Sequence, residues 1–228
     1  TTRTIVSSAL AVAGDLAATE AGDGAWIADV FSLRRVDGKG MVTELARQYV
    51  GALENPLAVG TGAGEVATSS WSSGVIQRFD GTSGAILGTY HGIPSPMDVL
   101  PLGGDALLFL DFLGGRLVEA QGPQLEDQRV ILGGLAEPVS LLREDAEHVL
   151  ISERGAGQVR RVRVKDGRST VVAEGLRAPE GLTRTLDGTL LVADVDQRAV
   201  FAVEEGELRD IAEDLPIGFE APPGTPAA

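Results

Sequence analysis

Apolar residues along the chain fall in runs of four to seven, rich in Val, Leu, Ile and Ala and partly alternating with polar ones. Clusters of Gly, Asp, Ser and Pro separate the runs, and the 3.6-residue spacing of an amphipathic helix is absent. Short alternating runs bounded by breakers predict strands. Five of the runs end on a polar residue: WIAD at Asp29, EVATS at Ser69, LLFLD at Asp111, VLIS at Ser152 and LLVAD at Asp194. Those positions are spaced by 40, 42, 41 and 42 residues, and Pro56, Pro96, Pro138 and Pro179 by 40, 42 and 41. Two independent anchors keeping one period mark an internal repeat.

Each unit holds four runs: a Pro-led segment (PLAVG, PMDVL, PVSLL, PEGLT), the anchored run, a third (SLRRV, VIQRF, RLVEA, QVRRVRV, AVFAV) and a fourth (MVTELA, AILGTY, QRVILG, STVVAE, ELRDIAE). Four antiparallel strands per repeat of about 41 residues is the pattern of a β-propeller blade. The expected fold is therefore all-β: a propeller of four-stranded antiparallel blades, with five full repeats and parts of a sixth. TRTIVSSAL (residues 2–10) reads as a fourth strand and LPIGFEAPP (215–223) as a first strand. The chain is then either a piece of a six-bladed ring, the favoured reading, or five blades with two accessory strands. One domain is expected over residues 1–221, with a Pro-rich disordered tail over 222–228.

The Pro-Glu-Gly-Leu start, Asp-Gly turn and Val-Ala-Asp run at 179–194 resemble the NHL-repeat and gluconolactonase/senescence-marker-protein superfamily of propellers. As architecture the resemblance covers nearly the whole chain; as a motif it is sharp only in the fifth unit. It implies a six-bladed ring and a function drawn from calcium- or zinc-dependent lactonases, other hydrolases and lyases, or non-enzymatic binding modules. Fold alone does not choose among these.

Composition narrows the partners. With 33 acidic and 19 basic residues the net charge is -14, which repels phosphate backbones and anionic headgroups, so neither nucleic acid nor a membrane is expected as partner. No run of apolar residues is long enough for a membrane-spanning helix. The absence of cysteine excludes disulfides, thiolate metal sites and thiol catalysis. The chain starts at Thr1 rather than Met, which favours a processed, extracytoplasmic protein.

In the metal-dependent hydrolases of the resembling superfamily, ligands project from the start of each first strand. The matching column here is Gly14, Leu57, Met97, Val139 and Glu180, and the next is Asp15, Ala58, Asp98, Ser140 and Gly181. Glu180, Asp98 and Asp15 are the candidate metal ligands, for Ca in a lactonase-like hydrolase. A hard cation needs six or more oxygens, and the Asn ligands that the resemblance implies are missing. The simpler reading has Glu180 and Asp98 hydrogen-bonding backbone amides or channel water, with no cofactor. His91 is the candidate general base, against the commoner role of a lone loop histidine as a solvated side chain. No Gly-x-Ser-x-Gly elbow or other nucleophile set is present.

The loops after the anchored runs carry Phe31, Trp71 and Phe112 in the first three units, and Arg154 among charged residues in the fourth. Aromatic residues make up only 4% of the chain, so three at equivalent loop positions suit a binding face. The competing reading has each ring capping its own blade. The leading expectation is a propeller that binds a small molecule or a protein segment through Phe31, Trp71, Phe112, Met97 and Arg154 around the channel mouth. A metal-assisted hydrolase and a structural module of a larger protein are the alternatives.

Overall fold

The computed structural model describes residues 10, 13–49 and 51–217. Among these residues twenty strands form five four-stranded sheets, each made of consecutive antiparallel strands. Blade 1 holds β1 (Ala13–Ala18), β2 (Gly24–Asp29), β3 (Ser32–Asp37) and β4 (Val42–Arg47). Blade 2 holds β5 (Ala58–Gly62), β6 (Glu65–Ser70), β7 (Val75–Asp80) and β8 (Ile86–His91). Blade 3 holds β9 (Pro96–Gly103), β10 (Ala106–Asp111), β11 (Arg116–Gln121) and β12 (Asp127–Gly133). Blade 4 holds β13 (Pro138–Arg143), β14 (His148–Glu153), β15 (Gln158–Arg163) and β16 (Ser169–Ala173). Blade 5 holds β17 (Pro179–Arg184), β18 (Leu190–Asp194), β19 (Ala199–Glu204) and β20 (Glu207–Ala212). The propeller of four-stranded antiparallel blades read from the repeat is thus the fold, with five blades among the described residues. Residues 2–9 and 218–223 of the proposed sixth-blade strands, and the 222–228 tail, lie outside the described residues.

Strand alternation sends successive side chains to opposite faces of a sheet, and here both faces of the inner blades are apolar. The core is accordingly split into four clusters, one between each pair of consecutive blades. Trp26, Leu33, Val59 and Phe79 join blades 1 and 2, and Ile76, Tyr90, Leu107 and Phe109 join blades 2 and 3. Leu108, Leu117, Leu141 and Ile151 join blades 3 and 4, and Leu150, Val159, Val192 and Phe201 join blades 4 and 5. Val66 and Ala67, neighbours on β6, serve different clusters. With so few aromatics, aliphatic residues do most of the filling.

The first strands β1, β5, β9, β13 and β17 lie innermost, each packed on the next. They come very close where small residues permit. An added Cβ at Gly60 of β5 would sit 1.7 Å from the Val99 carbonyl oxygen of β9, and one at Gly62 2.3 Å from that of Pro101. At the far end of blades 2 and 3, buried Arg78 forms a two-point bridge to Glu65 (2.8 and 2.7 Å) and reaches Asp105 (2.9 Å) and the Tyr90 hydroxyl (3.2 Å).

The second strands end at Asp29, Ser70, Asp111, Glu153 and Asp194. In blades 2 and 4 the equivalent residue is therefore one position later than the Ser69 and Ser152 anchors. In those two blades the polar boundary of the run falls one residue before the strand itself ends.

Candidate functional site

The inner strands surround a cavity of about 540 Å³. Leu100, Leu141 and Leu142 line it from blades 3 and 4, Leu16 and Ala25 from blade 1, and Leu182, Leu191 and Val200 from blade 5. Asp15 and Asp98 also line it, as do Ser140 and Gly181, so the second sequence column is a channel column.

Each of the two aspartates ties its own blade to the next. Asp15 accepts the N–H of Leu16 (2.8 Å) on one oxygen and that of Val59, on β5, on the other (2.9 Å). Asp98 does the same with Val99 (2.7 Å) and with Leu141 of β13 (2.7 Å). Four inward-pointing amides of blades 1 to 4 are thereby satisfied by two carboxylates on alternate blades. Buried backbone donors must find acceptors, and an inner strand has no neighbour on its channel side. Burial pushes Asp15 up to about 6, against the pull of the two amides. Burial lifts Asp98 well above the carboxylate range, and repulsion from Asp15 adds to it.

Glu180 stands apart from this pair. It is half-buried at the start of β17, with its carboxylate 3.2 Å from Arg154 Nε. Burial raises its carboxyl, Arg154 opposes that rise, and Asp196 and Asp194 add to it. Among the described residues, the His, Asp and Glu side chains that offer three ligand atoms within 4.8 Å of one another are Glu144, Asp145 and His148. That trio is already neutralised by guanidinium groups: Arg184 binds Glu144 (2.7 Å), and Arg161 contacts Glu144, Asp145 and His148. His91 lies at the end of β8, the outermost strand of blade 2, exposed and 2.9 Å from the Glu54 carboxylate. It lies on the loop face but at the rim, away from the channel.

The aromatic loops are open to solvent. Phe31 is 46% and Trp71 45% exposed, and Phe112 is half-buried. Trp71 and Phe112, on consecutive blades, form a tilted pair with centroids 6.4 Å apart. Phe31 pairs with Tyr49 at 6.2 Å. Tyr49, 83% exposed, escaped the sequence reading because it follows a fourth strand rather than a second one. Backbone bonds hold these loops: Phe112 N–H donates to Ser95 O (3.0 Å), and Gln48 N–H to Phe31 O (2.8 Å). Half-buried Met97 is the second residue of β9 and packs against the core between blades 3 and 4. Arg154 opens a short 3-10 turn over Arg154–Ala156, so the loop face is aromatic on blades 1 to 3 and charged on blades 4 and 5.

The acids that end the second strands fix these loops from beneath. Asp111 accepts from Ser95 Oγ (2.7 Å), Gly114 N–H (2.9 Å) and the Arg116 guanidinium. Asp194 accepts from the N–H groups of Arg177 (2.6 Å), Ala178 (3.2 Å) and Gln197 (3.0 Å), and from the Gln197 amide (2.9 Å). In blade 4 Glu153 fills the slot, taking Ala136 N–H, Gln158 and Arg160. Burial would raise Asp111 and Asp194, but the surrounding donors outweigh it and leave both below the usual range.

No protein-family model matches the chain, and no curated protein matches it. Solved structures do. A chain of the nidogen–laminin complex superposes with TM-score 0.70 at 17% identity, over 90% of this chain and 80% of that one. Virginiamycin B lyase from Staphylococcus aureus gives 0.64 at 14%, over 90% and 71%. An auxiliary nutrient binding protein from Bacteroides ovatus gives 0.65 at 12%, over 88% and 61%. At such identities the likeness is one of fold, and the chain is a β-propeller.

Proposed function

We propose that this is a binding propeller, related to the NHL and gluconolactonase-like propellers, whose loop face around the channel mouth holds a small molecule or an extended segment of a partner protein. The observation that carries the reading is the exposure of Phe31, Tyr49 and Trp71, with half-buried Phe112 against Trp71, on three consecutive blades. Rings held on short loops offer large contact area at low entropic cost, and such residues dominate binding energies. The neighbouring face of Arg154, Glu180, Asp196 and Arg198 adds charges of both signs, which suits a ligand with an apolar part and a polar part. The metal-assisted hydrolase is the weaker alternative. Its candidate ligands Asp15 and Asp98 are engaged with backbone amides, and Glu180 with Arg154.

A peptide-display selection on the whole chain tests the reading, with affinities then measured for Trp71→Ala and Phe112→Ala. Selected peptides are expected to lose about tenfold or more in affinity to either variant. Both variants should unfold within about 1 kcal/mol of the parent, because the rings contribute little to the core. Binders indifferent to both substitutions would place recognition elsewhere and end the loop-face reading.

A further inference from the structure

The central cavity has a chemistry that the loop face does not use. Among the described residues, Asp15, Asp98 and Arg143 are the charged side chains on its wall, and most of the remainder is aliphatic. Asp98 is only 7% exposed. Among the described residues neither aspartate is paired with a cationic side chain; what surrounds them is burial, two amides each and one another. A buried charge is ordinarily paired. A carboxylate has about four acceptor sites, and each of these two has committed two to backbone N–H groups. Arg143 does not close the gap. It lies at the other end of β13, three residues beyond Ser140 and so about 10 Å along the strand, where it donates to the Pro101 carbonyl (3.1 Å).

The cavity thus has a negative end at Asp15 and Asp98, a positive end at Arg143 and an aliphatic wall between. A divalent metal ion fits it poorly, since such ions take six or more oxygens. Among the described residues no third Asp, Glu or His brings a ligand atom within 4.8 Å of both aspartates. An aliphatic wall solvates hydrocarbon, and two carboxylates without a counter-ion attract a single positive charge.

We propose that the channel binds an organic monocation, an ammonium or guanidinium group on an apolar body, with its charged end at Asp15 and Asp98 and its body against Leu141, Leu182 and Leu191. The inference is independent of the loop-face reading. Occupancy by a cation does what protonation otherwise does for the pair, which burial and mutual repulsion hold above the ordinary carboxylate range. Binding near pH 6 therefore displaces a proton.

Calorimetric titration of the whole chain with phenethylammonium chloride at pH 6 and 7.5 tests this, with 2-phenylethanol and calcium chloride as comparators. The ammonium salt is expected to bind with a dissociation constant of about 1 mM or tighter, and at least about tenfold more tightly than the neutral alcohol. At pH 6 its apparent enthalpy should vary with the ionisation enthalpy of the buffer. Asp98→Asn should weaken it about tenfold or more, and Glu204→Gln, on the outer side of blade 5, should leave it unchanged. If Asp98→Asn fails to fold, Asp15→Asn makes the same comparison. Equal affinity for the alcohol, calcium binding that the aspartate variants abolish while the ammonium salt gives no heat, or indifference of both aspartate variants would overturn the proposal.

Discussion

Asp194→Ala is expected to cost about 3–5 kcal/mol of stability and to lower the melting temperature by about 10 °C. The side chain is 0% exposed and accepts four hydrogen bonds. Alanine would strand three backbone N–H groups and the Gln197 amide beneath the loop face. Each stranded donor costs about 1–3 kcal/mol, reduced where water can enter the space vacated. Two segments would loosen together, the approach to β17 through Arg177 and Ala178 and the β18–β19 loop through Gln197. The effect has a definite pH dependence. Four donors hold the Asp194 carboxyl below its unfolded value despite burial, so its contribution is complete above about pH 4. It disappears as pH falls through the folded-state value. Urea unfolding of parent and variant should therefore show the full gap at pH 7 and a shrinking one below pH 4. An unchanged gap at low pH would show that the side chain acts through packing rather than charge.

Gly60→Ala is expected to destabilise by roughly 3 kcal/mol, at the upper end of what overpacking costs. The added Cβ would lie 1.7 Å from the Val99 carbonyl oxygen and 2.9 Å from its carbon, both backbone atoms of the adjacent blade. No rotamer can relieve a backbone clash, so β5 and β9 would have to separate. That movement would strain the Val59 amide of β5, which Asp15 of β1 holds. Gly64, four residues on, is the informative control. Its φ of +77° is in the left-handed region, but a Cβ there meets nothing within 4 Å. Gly64→Ala should cost only about 1 kcal/mol, the conformational penalty alone. Denaturant midpoints of the two variants separate space from conformation; equal losses would refute the close approach of the inner strands.

The period and strand types were legible because each blade repeats its own hydrogen-bonding problem. Every unit needs four half-buried strands and turns between them, and local pattern reports both. The alignment slipped by one residue in blades 2 and 4, where strands end in Ser69-Ser70 and Ser152-Glu153. A polar residue inside a strand end resembles the terminus, yet only the last residue reaches the loop beneath it. Asp15 and Asp98 share a column of the repeat, and amide acceptance is legible in the sequence as one role open to Asp98. The specific donors, Val59 and Leu141, lie 44 and 43 residues away, and only the packing of one blade on the next brings them together. Glu180 illustrates the same limit, since Arg154 reaches it from a neighbouring blade. Tyr49 and buried Arg78 carried no motif; their environments arise wholly from tertiary contact.

The consecutive strand order within every sheet also shapes how the chain comes apart. Among the described residues no strand takes its sheet partner from another blade, and packing runs from each blade to its chain neighbour. Stability then behaves as a sum of sheet terms and junction terms along a line. Burial is uneven along that line: β10 is almost wholly buried, whereas most positions of β1 and β20 are exposed. Opening should begin at the two outer sheets and reach blade 3 last. Amide hydrogen exchange is expected to show β10 exchanging only through global unfolding, with β1 and β20 exchanging through smaller, cheaper openings. Uniform protection across the five sheets would instead mean that the whole propeller opens as one cooperative unit.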